Sequence, residues 1–460
     1  LSISAIAVPL NAWWTGEELE YGLSDSGSRI AIVDEERASR LAPHVTNLHL
    51  DALIIARAEG ATSGALRLED LIGTPSAYGS LPERPLPPME IAPDDDATIF
   101  YTSGTTGKPK GALGTHRNMA TNLVNRAVSE ARSALRRGDP WPVPPNTEPR
   151  AGLIAIPFFH ATGCLSILVP CLVTGRKIVI IAKWDAVEAM RLIEKERISS
   201  FGGVPAIAWQ VIEHPDRAKF DLSSVEDVSY GGAPAASELP RRIKEAFPKV
   251  TPGTGYGMTE TSAIATYCSS EEYLTHPESC GVPVPNCDIK ICDAAGKEVP
   301  RGTAGELWIK GPNVVMGYWQ KPDETAKSFK NGWVITGDIG RIDEEGFVCI
   351  PDRAKDMLIR GGENIYCVEV ENVLYQHPAI MDAAVIGLPH KVLGEEVGAV
   401  VQAKPGMDVT QAELQTHVAA HLARFKVPVA IQIQQMPLPR NANGKILKSE
   451  LRKTFKRESA

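Results

Sequence analysis

The segment Tyr101–Lys110, YTSGTTGKPK, is a dense group of residue types that bind phosphate. It combines hydroxyl side chains with two glycines and two lysines, and it follows the strand-like run ATIFY. Glycines let the backbone approach a ligand and expose its N–H groups, while hydroxyls and lysine add further donors. The segment therefore predicts a loop that binds a polyphosphate. It is not a Walker A loop, because Pro109 stands where that motif needs Ser or Thr.

Three other polar residues have ordinary structural interpretations on residue type alone. His160 is typical of a buried, hydrogen-bonded histidine. Tyr256 is typical of core packing, and Asp338, between Gly337 and Ile339, is typical of a turn. For residues 101–110, a plain Gly/Thr turn stays open as the alternative to a phosphate loop.

Strands alternate with helices in the part of the chain that must position these residues. Arg29–Val33 and Lys177–Ala182 are short apolar runs typical of strands. Asp185 then caps a helical pattern, and ISSFGG returns as a strand, which predicts a βαβ unit in a parallel sheet. The uncharged stretch Ala151–Gly175 contains internal Pro and Gly, so it predicts a strand, a loop and a buried helix rather than a membrane span.

The alternation of predicted strands and helices changes near residue 352. Strands are predicted at Ala383–Leu388 and Val397–Ala403, followed by a helix that opens with a capping box at Thr410 and Glu413. Its apolar residues continue to Phe425, and Pro428 is expected to stop it. We therefore predict an α/β protein with a large N-terminal body of parallel and mixed sheets with flanking helices, residues 1–352, and a small mobile α+β domain, residues 353–460.

Composition excludes several classes of protein. The net charge of the 460 residues is -8, so nucleic acid is not expected as a partner, although nine Lys and Arg stand against two Glu from His421 onward. The eight cysteines include no CxxC pair, which favours free thiols of a cytoplasmic protein. A structural zinc site at His276, Cys280, Cys287 and Cys292 is disfavoured by their spacing.

No transmembrane segment or signal peptide is indicated by the sequence. The oligomeric state stays open between a monomer and a homodimer. Because the chain opens at Leu1 with an apolar run and no cap, we expect a preceding segment.

Motifs along nearly the whole chain resemble those of the adenylate-forming, or AMP-binding, superfamily in its acyl-CoA synthetase (fatty-acid–CoA ligase) branch. After TSGTTGKPKG come PFFHATG, SYGGAP, GYGMTET, GELWIKGPNVVMGYW, GWVITGDIG, PDRAKDMLIRGGENIY and PRNANGKILK, in that order. The resemblance implies a ligase that uses ATP to convert a carboxylic acid to acyl-AMP and pyrophosphate, and then transfers the acyl group to coenzyme A.

The resemblance also implies roles for individual residues. Thr102 and Glu260 would hold Mg²⁺, Thr259 would donate to the α-phosphate, and His160 would line the acyl and phosphate site. Lys445 would bridge the carboxylate and the α-phosphate, Lys355 would be the hinge of the C-terminal domain, and Arg353 would assist Asp338 at the ribose. The remaining residues fall into four groups: the phosphate loop (Ser103, Gly104, Thr105, Thr106, Gly107, Lys108), the adenine site (Gly231, Gly232, Ala233, Pro234, Gly255, Tyr256, Gly257, Met258), the acyl pocket (Gly202, Gly203, Val204, Tyr230) and the CoA tunnel (Gly361, Gly362, Glu363).

The acid is expected to be fatty or aryl. Apart from Glu260, the predicted pocket segments carry no charge, and the Asp that typically grips the amino group in amino-acid-activating relatives is missing. Two alternatives to an acyl-CoA synthetase stay open: an adenylating enzyme that loads a carrier protein, and a catalytically silent ATP-binding relative.

Overall fold

The computed structural model describes residues 1–60, 64–102, 108–139, 141, 150–232, 235–269, 271–353, 357–360, 363–441 and 444–455, with the backbone alone at 351–353, 359 and 363–364. The helices are α1 Gly16–Ser26, α2 Glu35–Leu41, α3 Leu68–Ile72, α4 His116–Arg137, α5 Val169–Thr174, α6 Ala186–Glu196, α7 Pro205–Ile212, α8 Leu239–Ala246, α9 Glu271–Thr275, α10 Pro322–Ser328, α11 Cys367–Gln376, α12 Gln411–His421 and α13 Lys448–Thr454. The strands are β1 Ile30–Asp34, β2 Ala52–Ala56, β3 Leu66–Arg67, β4 Asp96–Thr102, β5 Lys110–Thr115, β6 Ala151–Ile154, β7 Lys177–Ile180, β8 Ser200–Gly203, β9 Asp227–Gly231, β10 Thr251–Tyr256, β11 Thr266–Ser269, β12 Val282–Pro283, β13 Asp288–Cys292, β14 Gly305–Lys310, β15 Phe329–Lys330, β16 Trp333–Ile342, β17 Val348–Arg353, β18 Leu358–Arg360, β19 Glu363–Ile365, β20 Ile380–His390, β21 Gly394–Ala403 and β22 Ala430–Gln434.

A seven-stranded sheet in the order β12-β11-β10-β9-β8-β6-β7 forms the centre of the N-terminal body. Strands β7, β6, β8, β9 and β10 pair in parallel, and β11 and β12 add antiparallel partners. Strand β7, helix α6 and strand β8 confirm the predicted βαβ unit. Asp185 caps α6 by accepting a 2.8 Å hydrogen bond from the backbone N–H of Glu188.

The two faces of this sheet differ sharply in side-chain size. Leu153, Phe201, Val228 and Tyr230 point to one face and join the main apolar core beneath α6, α7 and α8. Because side chains alternate along a strand, the residues between them point the other way. They include Gly202, Ser229 and Gly231, and the paired strand β10 adds Gly253 and Gly255 in register with Ser229 and Gly231. We call this second surface the glycine face.

The stretch Ala151–Gly175 folds into the predicted order of strand, loop and helix, with a π-helical segment Thr162–Leu168 that continues directly into α5. The helix is only partly buried, since Leu172 and Val173 are each 67% exposed. Across the described ranges, no helix combines the length and the apolar character needed to cross a bilayer.

Three smaller sheets complete the N-terminal body. Strands β1, β2 and β3 form one, β4 and β5 pair with Thr102 opposite Lys110, and β13-β14-β16-β15 with β17 form a five-stranded sheet. The β4–β5 pair brings the two ends of the predicted phosphate loop together. Residues 103–107 of that loop lie outside the described residues.

The small C-terminal domain is built on the sheet β19-β18-β21-β20, with β22 beside β21. Helix α12 begins at the predicted capping box, since Thr410 Oγ1 accepts a hydrogen bond from Glu413 N. The predicted end of this helix is wrong. It ends at His421 rather than near Pro428, because Leu422 turns extended and a 3₁₀ turn follows at Arg424–Lys426. Leu422 and Phe425 still pack on the domain core, so the apolar pattern continues past the helix that it suggested.

Candidate active site

The base of the predicted phosphate loop is fixed by contacts from the N-terminal body. Tyr21 on α1 donates a 2.9 Å hydrogen bond to the carbonyl of Pro109, and Lys108 Nζ lies 4.8 Å from the centre of the Tyr21 ring. Lys110 pairs with Glu324 on α10 at 2.5 Å. These contacts position Lys108 at the end of the loop, whereas the charge of Lys110 is paired with Glu324.

The turn that carries Thr259 and Glu260 is short and internally bonded. It is a 3₁₀ helix, Thr259–Thr261, in which Thr261 Oγ1 donates to Met258 O at 3.1 Å and accepts from Met258 N at 3.0 Å. The next two residues, Ser262 and Ala263, have φ values of 52° and 88°, so non-glycine residues adopt the left-handed region here. Backbone strain of this kind clusters at functional sites.

Glu260 is 5% exposed and accepts a 2.6 Å hydrogen bond from the hydroxyl of Tyr318. Burial, together with the charge of Glu260, raises the pKa of Tyr318, so its hydroxyl stays protonated and donates. Strand β4 lies against the Thr259–Thr261 turn. The fold thus brings the strand that carries Thr102 to the turn that carries Glu260, although the two are far apart in sequence.

Tyr256 and Asp338 meet directly. The Tyr256 hydroxyl donates to Asp338 Oδ2 at 2.5 Å, and Asp338 is 3% exposed. The backbone of Asp338 pairs with that of Arg353 between β16 and β17. These three predicted nucleotide residues therefore come from three strands of two different sheets and converge at one place.

His160 follows β6 in the loop before the π-helical segment. Its ring packs against Phe159 with centroids 4.8 Å apart, and its Nε2 is buried without a hydrogen-bond partner among the described residues. Burial lowers the pKa of His160 to about 4. The ring is neutral at pH 7 and has one nitrogen available to a ligand.

The predicted acyl-pocket residues divide between the two faces of the sheet. Gly202 lies on the glycine face, where an added Cβ would sit 1.7 Å from the carbonyl oxygen of Ser229. Tyr230 points to the opposite face, is buried in the apolar core and donates a 2.8 Å hydrogen bond to the hydroxyl of Tyr273. This corrects the expectation for Tyr230, because strand alternation places its side chain in the apolar core and puts Ser229 and Gly231 on the glycine face.

The loop that carries Lys445 packs on the N-terminal body. Gly444 has φ of +73°, and a Cβ added there would lie 2.6 Å from Cγ2 of Val204. Within the loop, Lys445 N donates a 3.0 Å hydrogen bond to Asn441 Oδ1. The catalytic lysine predicted from the C-terminal domain thus begins beside a residue predicted for the acyl pocket.

Arg440 links this loop to the body of the C-terminal domain. Its guanidinium donates both to the carbonyl of Gly444 and to the carboxylate of Asp382. Asp382 is 7% exposed and also accepts a 2.6 Å hydrogen bond from Tyr375. Sequence reasoning did not select Arg440, Asp382, Tyr318 or Tyr21. Arg440 and Tyr318 lie within the quoted motifs PRNANGKILK and GELWIKGPNVVMGYW, which was a signal, whereas Tyr21 and Asp382 lie outside every quoted motif.

Several predicted positions cannot be placed. Ser103, Gly104, Thr105, Thr106, Gly107, Ala233, Pro234, Lys355, Gly361 and Gly362 lie outside the described residues. Glu363 is described in the backbone alone, where it pairs with Arg360 between β18 and β19.

Comparison with known proteins settles the family. The model of the AMP-binding enzyme family matches residues 1–319, and that of the AMP-binding enzyme C-terminal domain matches residues 369–445. The chain belongs to the AMP-binding enzyme family. It is an AMP-forming acid–thiol ligase, which activates a carboxylic acid to acyl-AMP with ATP and transfers the acyl group to CoA. The predicted family, fold class and reaction are confirmed.

The chain is similar to curated relatives and to solved structures along most of its length. A feruloyl-CoA synthase of Amycolatopsis is 34% identical over 98% of this chain and 84% of its own length. A long-chain-fatty-acid–CoA ligase of Bacillus subtilis is 37% identical over 79% of this chain and 62% of its own length. The o-succinylbenzoate CoA synthetase of Bacillus subtilis, solved with its acyl-adenylate intermediate, is similar with a TM-score of 0.77 at 30% identity, covering 99% of this chain and 84% of that one.

Proposed function

We propose that this enzyme forms acyl-AMP with the Lys445 loop closed on the N-terminal body. The observation that carries the proposal is the contact between Gly444 and Val204, which seats the lysine loop at the predicted acyl site. A carboxylate oxygen of the acid attacks the α-phosphorus of ATP, an O–P bond forms, and pyrophosphate leaves with the electrons of the broken P–O bond. Both reactants are anions, so a mobile cation at this point lowers the barrier electrostatically.

Thr259 and His160 complete the reacting centre in this proposal. Thr259 donates to the α-phosphate, and the neutral His160 ring hydrogen bonds without adding a charge that would compete with Lys445. Support for His160 comes from its buried Nε2, which has no hydrogen-bond partner among the described residues. A buried polar atom without a partner is costly, and a ligand that bonds to it removes that cost.

Nucleotide binding is assigned to the place where Tyr256, Asp338 and Arg353 converge. Asp338 accepts the ribose hydroxyls, Arg353 assists it, and the Tyr256 ring stacks on adenine. The 2.5 Å hydrogen bond from Tyr256 to Asp338 supports this, because it fixes the ring while leaving its face available. Gly231 and Gly232 border the base, and an added Cβ at Gly231 would lie 2.9 Å from the Gly255 carbonyl, so no side chain fits.

Mg²⁺ fits the oxygen-bearing pair Thr102 and Glu260. Magnesium prefers oxygen ligands and is usually held by one or two carboxylates together with substrate phosphates. Among the described residues there is no group of three His, Cys, Asp or Glu side chains that could hold a metal, so a site shared with the phosphates is the arrangement the residues favour. The ion would neutralise phosphate charge during attack.

Thioester formation is proposed to follow a rotation of the C-terminal domain about Lys355, with the domain boundary at residues 352/353. The rotation withdraws Lys445, and Gly361, Gly362 and Glu363 then line the CoA tunnel. A cytoplasmic location is supported by the eight cysteines, all of which are free thiols.

We propose a fatty or aryl acid as substrate. Support comes from the relatives named above, which include ligases of an aromatic and of a fatty acid. The test is Lys445→Ala, measured in acid-dependent ATP–pyrophosphate exchange and, separately, in thioester formation from supplied acyl-AMP. Exchange should be lost while thioester formation persists. Lys453→Ala on α13 is the control, and equal loss of both reactions in Lys445→Ala would contradict the assignment.

A further inference from the structure

Helix α4 buries side chains that are mostly polar. Asn118, Asn122 and Asn125 are at most 5% exposed, and their spacing of four and three residues places them on one face of the helix. Asparagine is a weak helix former, and a buried amide costs free energy unless it is hydrogen-bonded. Three of them in a row indicate that this helix bonds to polar groups of neighbouring segments.

Asn122 bonds to the turn that carries Thr259 and Glu260. Its Nδ2 donates a 2.8 Å hydrogen bond to the carbonyl of Ser262 and lies 3.4 Å from the carbonyl of Leu165. Ser262 is 2% exposed and has a φ of 52°, so its carbonyl is buried in a left-handed stretch outside regular helix or sheet. A carbonyl in that position needs a side-chain partner, and α4 supplies it.

Asn313 bonds to the same turn from another part of the chain, between β14 and α10. Its side chain is fully buried, and its Nδ2 donates a 2.8 Å hydrogen bond to the carbonyl of Ile264. The carbonyl of Thr261 lies 3.4 Å from the same nitrogen. One amide therefore holds the carbonyls on both sides of the left-handed residues Ser262 and Ala263.

The segment around Asn313 also holds the backbone of Glu260 and is itself bonded to α4. The backbone N–H of Val315 donates a 2.9 Å hydrogen bond to the carbonyl of Glu260. Asn118 on α4 donates to the carbonyls of Pro312 and Val314 at 2.7 and 3.1 Å. The helix, this segment and the turn thus form one hydrogen-bonded unit behind the residues assigned to phosphate and metal.

We propose that Asn122 and Asn313 are positioning residues for acyl-AMP formation, which hold Thr259 and Glu260 in place through the carbonyls of the turn. The inference rests on the proposed function, in which Thr259 donates to the α-phosphate and Glu260 holds Mg²⁺. Left-handed φ values cost free energy in residues that carry a Cβ. Without the two amides the turn can relax, and groups that orient the ligands of a metal are needed for its full affinity.

Hydrogen exchange of the ligand-free full chain tests the turn without any bound group. The N–H groups of Thr261, Ser262 and Ala263 bond to carbonyls within the turn, so their exchange reports its opening. We expect Asn122→Ala and Asn313→Ala each to speed this exchange by about tenfold or more, the change that follows the loss of one buried hydrogen bond.

Asn125→Ala is the matched control on the same helix. Asn125 is as buried as Asn122, but its Oδ1 accepts a 3.2 Å hydrogen bond from the backbone N–H of Asn286. Both replacements change helix propensity alike, so their urea midpoints should be similar. Exchange of the turn amides in Asn125→Ala should stay within about twofold of wild type.

Calorimetry of ATP binding without acid, with and without Mg²⁺, tests the consequence for the metal. In Asn122→Ala and Asn313→Ala, the factor by which Mg²⁺ strengthens ATP binding should fall by about tenfold, as expected when groups behind a metal ligand are removed. Glu260→Gln sets the loss expected for the ligand itself, and Asn125→Ala should keep the wild-type factor.

Two results would overturn the inference, and they differ in what they leave standing. If Asn122→Ala and Asn313→Ala behave like Asn125→Ala in both measurements while Glu260→Gln weakens the magnesium effect, the positioning role is refuted and the proposed function stands. If Glu260→Gln leaves the magnesium effect unchanged, the proposed metal site fails and the inference fails with it. Because the two asparagines lie in different segments, Asn313→Ala carries the test even where Asn122→Ala disrupts α4.

Discussion

Replacing Gly444 by Ala adds one methyl group that should slow acyl-AMP formation and leave thioester formation nearly unchanged. The new Cβ would lie 2.6 Å from Val204 Cγ2, about 0.8 Å inside ordinary contact, and this overlap exists only while the lysine loop is closed. Relief requires the loop to move outward by about 1 Å, and a displacement of that size costs about 100-fold in rate where geometry is critical. We expect acid-dependent exchange to fall by about 10- to 100-fold, with thioester formation from supplied acyl-AMP changed by less than about threefold.

Backbone strain must be separated from the overlap. Gly406→Ala is the matched control, since Gly406 has φ of +75° in the same domain and an added Cβ meets nothing within 4 Å. It reports the cost of the left-handed conformation alone, about 1–2 kcal/mol, as a shift in the urea midpoint. The double variant Val204→Ala/Gly444→Ala removes the atoms that meet the new Cβ and should recover most of the exchange rate. Equal loss of both half-reactions in Gly444→Ala, or no recovery in the double variant, would refute a closed loop at Val204.

Two further predictions concern a buried pair and a buried histidine. Arg440→Met leaves the Asp382 carboxylate without its cation. Because Arg440 is about a quarter exposed, we expect the free energy of unfolding in urea to fall by about 2–3 kcal/mol, with Arg440→Lys intermediate. Wild-type stability in Arg440→Met would contradict the contact between Arg440 and Asp382. The pKa of His160 is about 4 in the folded protein and near 6.5 in the unfolded chain. As the pH falls, the unfolded chain therefore takes up the proton first, and the free energy of unfolding decreases between these two values. Between pH 7 and 5, wild type should lose about 2 kcal/mol more than His160→Asn in urea unfolding, and parallel losses would contradict a neutral buried ring.

Secondary structure could be predicted from the sequence wherever contacts within a short segment determine it. The caps at Asp185 and Thr410 were predicted, because a capping side chain bonds within a few residues of itself. The end of α12 was not, because Leu422 and Phe425 pack on the domain core in a non-helical path that only tertiary contacts specify.

The sequence predicted which residues belong to the site but not how they are arranged. The resemblance to the family's motifs pointed to Glu260, Asp338 and Lys445. Their contacts with residues distant in sequence, such as that of Glu260 with Tyr318, could not be predicted. The side of β9 that faces the apolar core also could not be predicted, since the register of a parallel strand flanked by glycines is set by its neighbours. That is why Tyr230 was predicted for the acyl pocket although it packs in the core.

The two faces of the central sheet place two different demands on the same strands. Val228 and Tyr230 pack in the apolar core, while Ser229 and Gly231, each one position away, point to the glycine face. A substitution on the glycine face therefore leaves the packing of the core face in place. With the acid on the glycine face, where Gly202 of the predicted acyl pocket lies, substrate specificity and the folding free energy of the scaffold can change independently.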